Sequence, residues 1–259
     1  RMRAIFEMIW RWLPIDSGGP AMRTTMVAPC PSAAPKSIGL RRRATATALL
    51  AAACASSPSD LQPLTKRLIG GEAASHALIS EAFGGLDTHS PNEALAAAAE
   101  RGDIDAASAA WWGFNPHDSS KILEAALASR TSILLIPDMG RPWFTGPLRL
   151  RGSLTLILEP GAEILALPGA FIPTDACLFK GKDVDNLRII GYGARIAMRK
   201  TDYWKAPYER SQHRHALSLI GARHLRVSGL SIESSGGDGV YIGQVRGGPI
   251  PEAILLEDL

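Results

Sequence analysis

The sequence predicts an all-β fold: a parallel β-helix preceded by a short α-helical cap. Three observations predict it. First, residues 217–243 hold four short alternating segments in succession, Leu217-Ser-Leu-Ile, His224-Leu-Arg-Val-Ser, Leu230-Ser-Ile-Glu and Val240-Tyr-Ile, with only tight glycine-bearing corners between them. Alternation with period two buries one face of a strand. Second, none of these corners is the Asn-Gly type of turn that a hairpin would use. Third, the phrase recurs. Leu148-Arg-Leu-Arg-Gly152 leads to Leu154-Thr-Leu-Ile-Leu158 and Ala162-Glu-Ile-Leu165, and Cys177-Leu-Phe-Lys-Gly181 leads to Asn186-Leu-Arg-Ile-Ile-Gly191 and Ala194-Arg-Ile-Ala197. Short strands joined by sharp corners, repeating at a coil's length, suit a chain that winds and stacks on itself.

Aligned on Gly152, Gly181 and Gly221, the copies are 29 and then 40 residues apart, and the surplus is a polar insert, residues 198–215. Insertions at one corner of a stacked repeat are tolerated because corners face solvent and only strands must stay in register. Ala253-Ile-Leu-Leu-Glu-Asp-Leu259 reads as the opening strand of another coil. An uncapped last coil leaves apolar stacking surface bare, so residues 132–259 are expected to be the first coils of a longer solenoid, truncated at the C-terminus.

Ahead of the coils, residues 91–131 are expected to form the cap. Residues 92–101 are alanine-rich and closed by Gly102, residues 103–110 suggest a second short helix, and Asp118 is placed to cap a helix over 119–129 with Ile122, Leu123, Ala126 and Leu127 on one face. Trp111-Trp-Gly-Phe114 is an apolar knot, and Ser132-Ile-Leu-Leu-Ile-Pro137 a buried strand. Residues 55–90 carry little pattern and read as linker.

Residues 1–54 read as a leader. Arg41-Arg-Arg43 precedes an alanine-rich apolar run ending at Cys54, too short to span a bilayer as a mature helix. Lipidation of Cys54, ordinary cleavage nearby, or a twin-arginine signal are the alternatives, and each places the body outside the cytoplasm, with lipidation adding a membrane anchor. Residues before Met22 or Met26 are expected not to be translated. Cys30 leaves with the leader and Cys177 stands alone, so neither a disulfide framework nor zinc-ligand spacing is present. Cys177 is expected to be a small buried hydrophobe.

The net charge of +3 is uneven. Residues 1–54 hold eight basic and two acidic residues, and the remainder 20 basic and 23 acidic, so the body carries −3 and is no general polyanion binder. Within it, residues 195–226 concentrate eight Lys/Arg against Asp202 and Glu209 and hold three of the six histidines. That excess can gather an anionic ligand, or be a solvated basic corner. No recognised nucleic-acid module accompanies it, so no nucleic-acid partner is expected.

Six stretches carry a resemblance. Trp112-Gly-Phe with Asp118 and its helix, Ile136-Pro-Asp-Met-Gly-Arg-Pro-Trp143, Leu158-Glu-Pro-Gly-Ala162, Ile190-Gly-Tyr-Gly-Ala194, Met198-Arg-Lys-x-Asp-Tyr203 and Ser235-Gly-Gly-Asp-Gly-Val-Tyr-Ile-Gly243 together resemble bacterial right-handed parallel β-helix proteins of the pectate-lyase-like superfamily. The resemblance runs from about Trp111 to Leu259. It implies a right-handed coil and a polysaccharide ligand, but the superfamily includes lyases, hydrolases, epimerases and non-catalytic surface proteins, so fold does not fix chemistry. Where such proteins have an acidic-tryptophan-arginine triplet, this chain has Gln212-His-Arg214, keeping only the arginine.

The candidate chemistry lies in and after the insert. Asp238, between glycines, is exposed for acid or base work, or is a turn residue capping its own backbone. Asp202 with Asp238 would be the two carboxylates that a glycosidase needs. A lyase would instead need a clamp for the uronate carboxylate, Arg214 or Arg199, and a base such as Lys200 or His215. Tyr203, Trp204 and Tyr241 offer ring faces for sugars, or are corner packing. No cofactor is expected. No clustered acidic calcium site is visible, although further coils could carry one. The expected function is cleavage of an acidic polysaccharide by a lyase or hydrolase outside the cytoplasm. The alternative is a carbohydrate-binding or structural surface solenoid.

Overall fold

The computed structural model describes residues 64–259. The leader, with Cys54 and Arg41 to Arg43, lies outside the described residues. Three helices come first or early: α1 (Leu64–Phe83), α2 (Glu93–Arg101) and α3 (Ser120–Ala128). Around and after them run fourteen strands: β1 (Ala106–Ser108), β2 (Ile133–Ile136), β3 (Trp143–Thr145), β4 (Leu148–Leu150), β5 (Leu154–Leu158), β6 (Glu163–Ala166), β7 (Phe179–Lys182), β8 (Asp185–Ile190), β9 (Arg195–Ala197), β10 (Leu217–Ile220), β11 (Arg223–Ser228), β12 (Ser231–Glu233), β13 (Val240–Gly243) and β14 (Glu252–Glu257).

The strands form three sheets, in the orders β1-β2-β5-β8-β11-β14, β4-β7-β10-β13 and β3-β6-β9-β12. Every pairing is parallel. From β5 onward each strand bonds to the strand three places later, so the chain visits the sheets in rotation. That connectivity is compatible with a parallel β-helix. Register stacks like upon like. Leu134, Leu156, Ile189 and Val227 are Cα partners in one row, and all are buried. Leu148, Phe179 and Leu217 form a second buried row, and Trp143, Ile164 and Ile196 a third. Each such side chain contributes about 1.5–3 kcal/mol by leaving water.

The repeat was legible, but its alignment shifts. Leu150 partners Gly181, and Gly181 partners Leu219, so the intervals are 31 and 38 residues rather than 29 and 40. The glycine alignment put Gly181 two residues out of register. A two-residue slip preserves which face each side chain takes, so alternation alone cannot detect it. The entry to the largest sheet carries a different signature. Ser153, Asn186, His224 and Ala253 immediately precede the aligned residues Leu154, Leu187, Leu225 and Ile254, and all have φ between 50° and 55°. Asn and His tolerate this left-handed conformation better than most residues.

Two helices form within residues 91–131. Asn92 Oδ1 accepts from Leu95 N, and Gly102 ends α2 at φ 82°. Asp118 Oδ1 accepts from Ser120 N at 2.9 Å, which satisfies the start of α3 although Ser119 is the formal cap. Residues 103–110 are not a helix. Ala106–Ser108 is β1, drawn out by pairing with β2, and Ala109–Trp112 is a single 3-10 turn. Tertiary pairing here overrides alanine's helix propensity.

The stretch read as linker contains α1. The helix has no acidic residue in its first turn and no basic one in its last, and Gly70-Gly71 interrupts its pattern. Gly71 lies so close to the Tyr192 ring that a Cβ there would collide. Leu78, Ile79 and Ala82 pack on the core, and Phe83 meets Trp111 edge-on at 6.0 Å. None of the helices in the described residues is long and apolar enough to cross a membrane.

Candidate functional site

The insert leaves β9 at Met198 and returns at β10. Its 3-10 turn, Asp202–Trp204, opens it. The turn between β12 and β13 runs alongside. Gly237 N donates to Arg214 O at 2.8 Å, and a Cβ on Gly236 would stand 2.6 Å from the Tyr203 ring and 3.0 Å from Arg214 Cβ. Two consecutive glycines let this backbone lie directly on the insert.

Between them lies an open cavity of about 560 Å³ lined by Tyr203, Trp204, Arg210, Ser211, Gln212 and Gly236. Trp204 is 62% exposed, so its ring is free to meet a ligand. Arg210, Ser211 and Gln212 were not expected here. Their signals in sequence were their place in the basic, polar insert and, for Gln212, its position where the resembling family carries an acid. A smaller depression of about 190 Å³ gathers Arg199, Lys200 and Asp202 with Met198, Thr201 and Ser234.

Arg214 does not serve as an open clamp. It is 0% exposed. Its Nε donates to Phe171 O at 2.9 Å, Nη2 to Ile172 O at 2.9 Å and Nη1 to Glu209 O at 2.7 Å. Its guanidinium carbon lies 5.3 Å from the Tyr203 ring centre and 5.5 Å from that of Tyr208. Two cation–π contacts and three carbonyls satisfy the charge where water cannot reach. Tyr203 is likewise not a free platform. It is buried beside Arg214, its Oη accepts from Arg199 N at 3.3 Å, and burial pushes its hydroxyl pKa up to about 12.

Asp202 accepts from Arg199 Nε in a short ion pair three residues apart. Asp202 lines the smaller depression, and Asp238 lines neither of the two. Glu233 faces Arg195 at 3.1 Å, and Arg195 also holds Glu163 at 2.8 Å, a ladder across neighbouring strands.

Asp238, His215 and Tyr241 form a third group. The Asp238 side chain is 64% exposed and that of His215 5%. His215 stacks on Tyr241 with ring centres 4.5 Å apart and 6° between planes. Tyr241 thus offers one face, not two. Asp238 N donates to His215 Nδ1 at 3.0 Å, while Asp238 Oδ2 is 3.4 Å from the same nitrogen. One nitrogen cannot accept from the amide and donate to the carboxylate together. The shorter amide contact assigns a neutral ring with its proton on Nε2. Burial holds the His215 pKa below its ordinary value, against the pull of Asp238, with His213 and Lys180 lowering it further. To act as a base through Nε2 the ring would have to carry its proton on Nδ1 instead and lose the amide contact.

Unfolded His215 takes a proton near pH 6.5, but folded His215 resists it, so this contribution to stability is present above pH 6.5 and is lost as pH falls below it. Melting midpoints of the wild type are expected to fall over that window more steeply than those of His215→Gln. Parallel curves would refute the assignment.

Cys177 is buried, its Sγ 3.4 Å from Asp175 O and from His213 O, and burial pushes its thiol pKa up. It is the small buried residue expected. Among the described residues no three of His, Cys, Asp and Glu converge where they could hold a metal ion.

Comparison with protein-family profiles finds none that matches this chain. Comparison with curated proteins finds no match either. Among solved structures, the chain is similar to a proposed glycosyl hydrolase from Parabacteroides merdae ATCC 43184, at 13% identity and a TM-score of 0.46, over 59% of this chain and 75% of that one. A likeness so distant fixes neither the fold family nor the activity of this chain.

Proposed function

We propose that this chain is a right-handed parallel β-helix of the pectate-lyase-like kind that binds and cleaves a polysaccharide, an acidic one by preference, outside the cytoplasm. The observation that carries the reading is the cavity between the insert and the β12–β13 turn. It joins an exposed indole, Trp204, to Arg210, Ser211 and Gln212. A flat ring for the apolar face of a sugar, with polar groups at its edge, is the chemistry a saccharide needs. The rotation of the chain through three parallel sheets supports the β-helix, because it lets successive corners stack into one lateral wall.

Asp238 is the proposed acid–base group. It is an exposed carboxylate two residues after Gly236 of the cavity lining, next to a neutral imidazole. Arg199 and Lys200, in the adjoining depression, are proposed to meet uronate carboxylates. Export through the leader, with Cys54 as a lipid anchor, belongs to the same proposal. The second reading is a solenoid that binds saccharide without cleaving it. It is favoured by the ion pair that ties Asp202 to Arg199 and leaves Asp238 without a carboxylate partner in either depression.

Trp204→Ala tests the site under both readings. Binding of oligogalacturonate, followed by calorimetry, is expected to weaken ~10-fold, about 1.4 kcal/mol for a lost stacking face. Unchanged affinity in a variant that melts like the wild type would remove the cavity from the account.

A further inference from the structure

Arg214 holds an unusual position for a charged residue. It is buried completely, among the described residues it has no carboxylate within ion-pair distance, and all three of its hydrogen bonds end on backbone carbonyls. Those carbonyls belong to two different segments. Phe171 and Ile172 lie in the corner between β6 and β7, one coil before the insert, while Glu209 lies in the insert itself. Tyr208 adds a parallel link, its Oη accepting from Gly169 N of the same corner at 3.0 Å. The Tyr203 ring, a wall of the Trp204 cavity, rests on the guanidinium.

We infer that Arg214 is a positioning residue: its guanidinium fastens the insert to the corner of the preceding coil and so fixes the walls of the Trp204 cavity. It touches no ligand itself. The inference rests on the saccharide reading for its functional meaning, but its physical content is independent of it. A planar fork is required because three carbonyls at separate places must be met from one centre. An ammonium is a point charge on a flexible stem and cannot span them. The cost of the arrangement is a buried cation, offset by the carbonyl dipoles and two ring faces. The return is that residues 199–213, which have little secondary structure of their own, hold one conformation before a ligand arrives.

The test is Arg214→Lys in the full chain, read by amide hydrogen exchange, by iodide quenching of the fluorescence assigned to Trp204 by difference from Trp204→Phe, and by oligogalacturonate and cello-oligosaccharide binding. Exchange across residues 199–213 is expected to quicken ~10-fold, as for one buried hydrogen bond lost, while strands β10 and β11 keep their protection. Trp204 quenching is expected to change with it, and binding to weaken. A residue that merely stabilised the fold would loosen strands and insert alike, and that result overturns the inference. So does wild-type exchange and quenching in the variant. If the insert loosens but the wild type binds neither saccharide, the positioning role stands and the saccharide reading falls. Should Arg214→Lys not fold, Tyr208→Phe, which removes only the link to Gly169, is expected to quicken exchange in the same residues. No change there would overturn the inference.

Discussion

Replacing Arg214 by methionine is expected to cost the fold about 3–5 kcal/mol, because it strands buried acceptors, each costing about 1–3 kcal/mol when unpaired. The thioether fills much of the volume, so a cavity is not the main effect. The carbonyls of Phe171, Ile172 and Glu209 lose their donors together, and the faces of Tyr203 and Tyr208 lose their cation. The relief of no longer burying a charge offsets part of this. Partial opening of the insert to water offsets another part, which is why the three penalties do not simply add. Urea unfolding of both proteins measures the difference. A loss below about 1 kcal/mol, the ordinary cost of a point substitution, would mean that water already reaches this guanidinium.

Asp238→Asn is expected to lower turnover ~10²- to 10⁴-fold, the contribution of a positioned acid–base group, while saccharide binding persists. The substitution is nearly isosteric. The backbone bonds at this position, from Asp238 N to His215 Nδ1 and from Ala216 N to Asp238 O, do not depend on the side chain. With the side chain 64% exposed, the variant should melt with the wild type, so lost activity cannot be assigned to lost fold. Undiminished turnover would return Asp238 to the role of a turn residue and leave the exposed face without an acid–base group of its own.

What could be read in the sequence divides along physical lines. Leu154, Leu156, Leu187, Leu225 and Val227 announce a buried face by alternation, because each strand is read locally and parallel stacking repeats it. The glycine that ends each phrase was a poorer guide, since corners differ in length and a slip of two residues keeps every side chain on its face. The stacked left-handed residues Asn186 and His224 would have been a better ruler. Helix α1 was missed because its apolar residues meet distant partners, Tyr192 and Trp111, that only the folded chain supplies.

Within the site, residue type gives no sign of exposure. Trp204 and Arg214 look equally available in the string of letters, yet one is open and the other sealed. Burial of Arg214 depends on two carbonyls some forty residues upstream, Phe171 and Ile172, and backbone acceptors leave no trace in a sequence. The pairing of Asp202 is of another kind. Arg199, three residues before Asp202, is visible in the sequence as its potential partner.

The most direct measurement is to incubate the protein with a panel of acidic and neutral polysaccharides and record reducing ends together with the ultraviolet absorbance of unsaturated uronates. New reducing ends are expected from an acidic polysaccharide, with accompanying absorbance if the bond is broken by elimination and without it if by hydrolysis. Absence of both signals from a protein that still binds those polysaccharides would contradict cleavage and leave a binding solenoid.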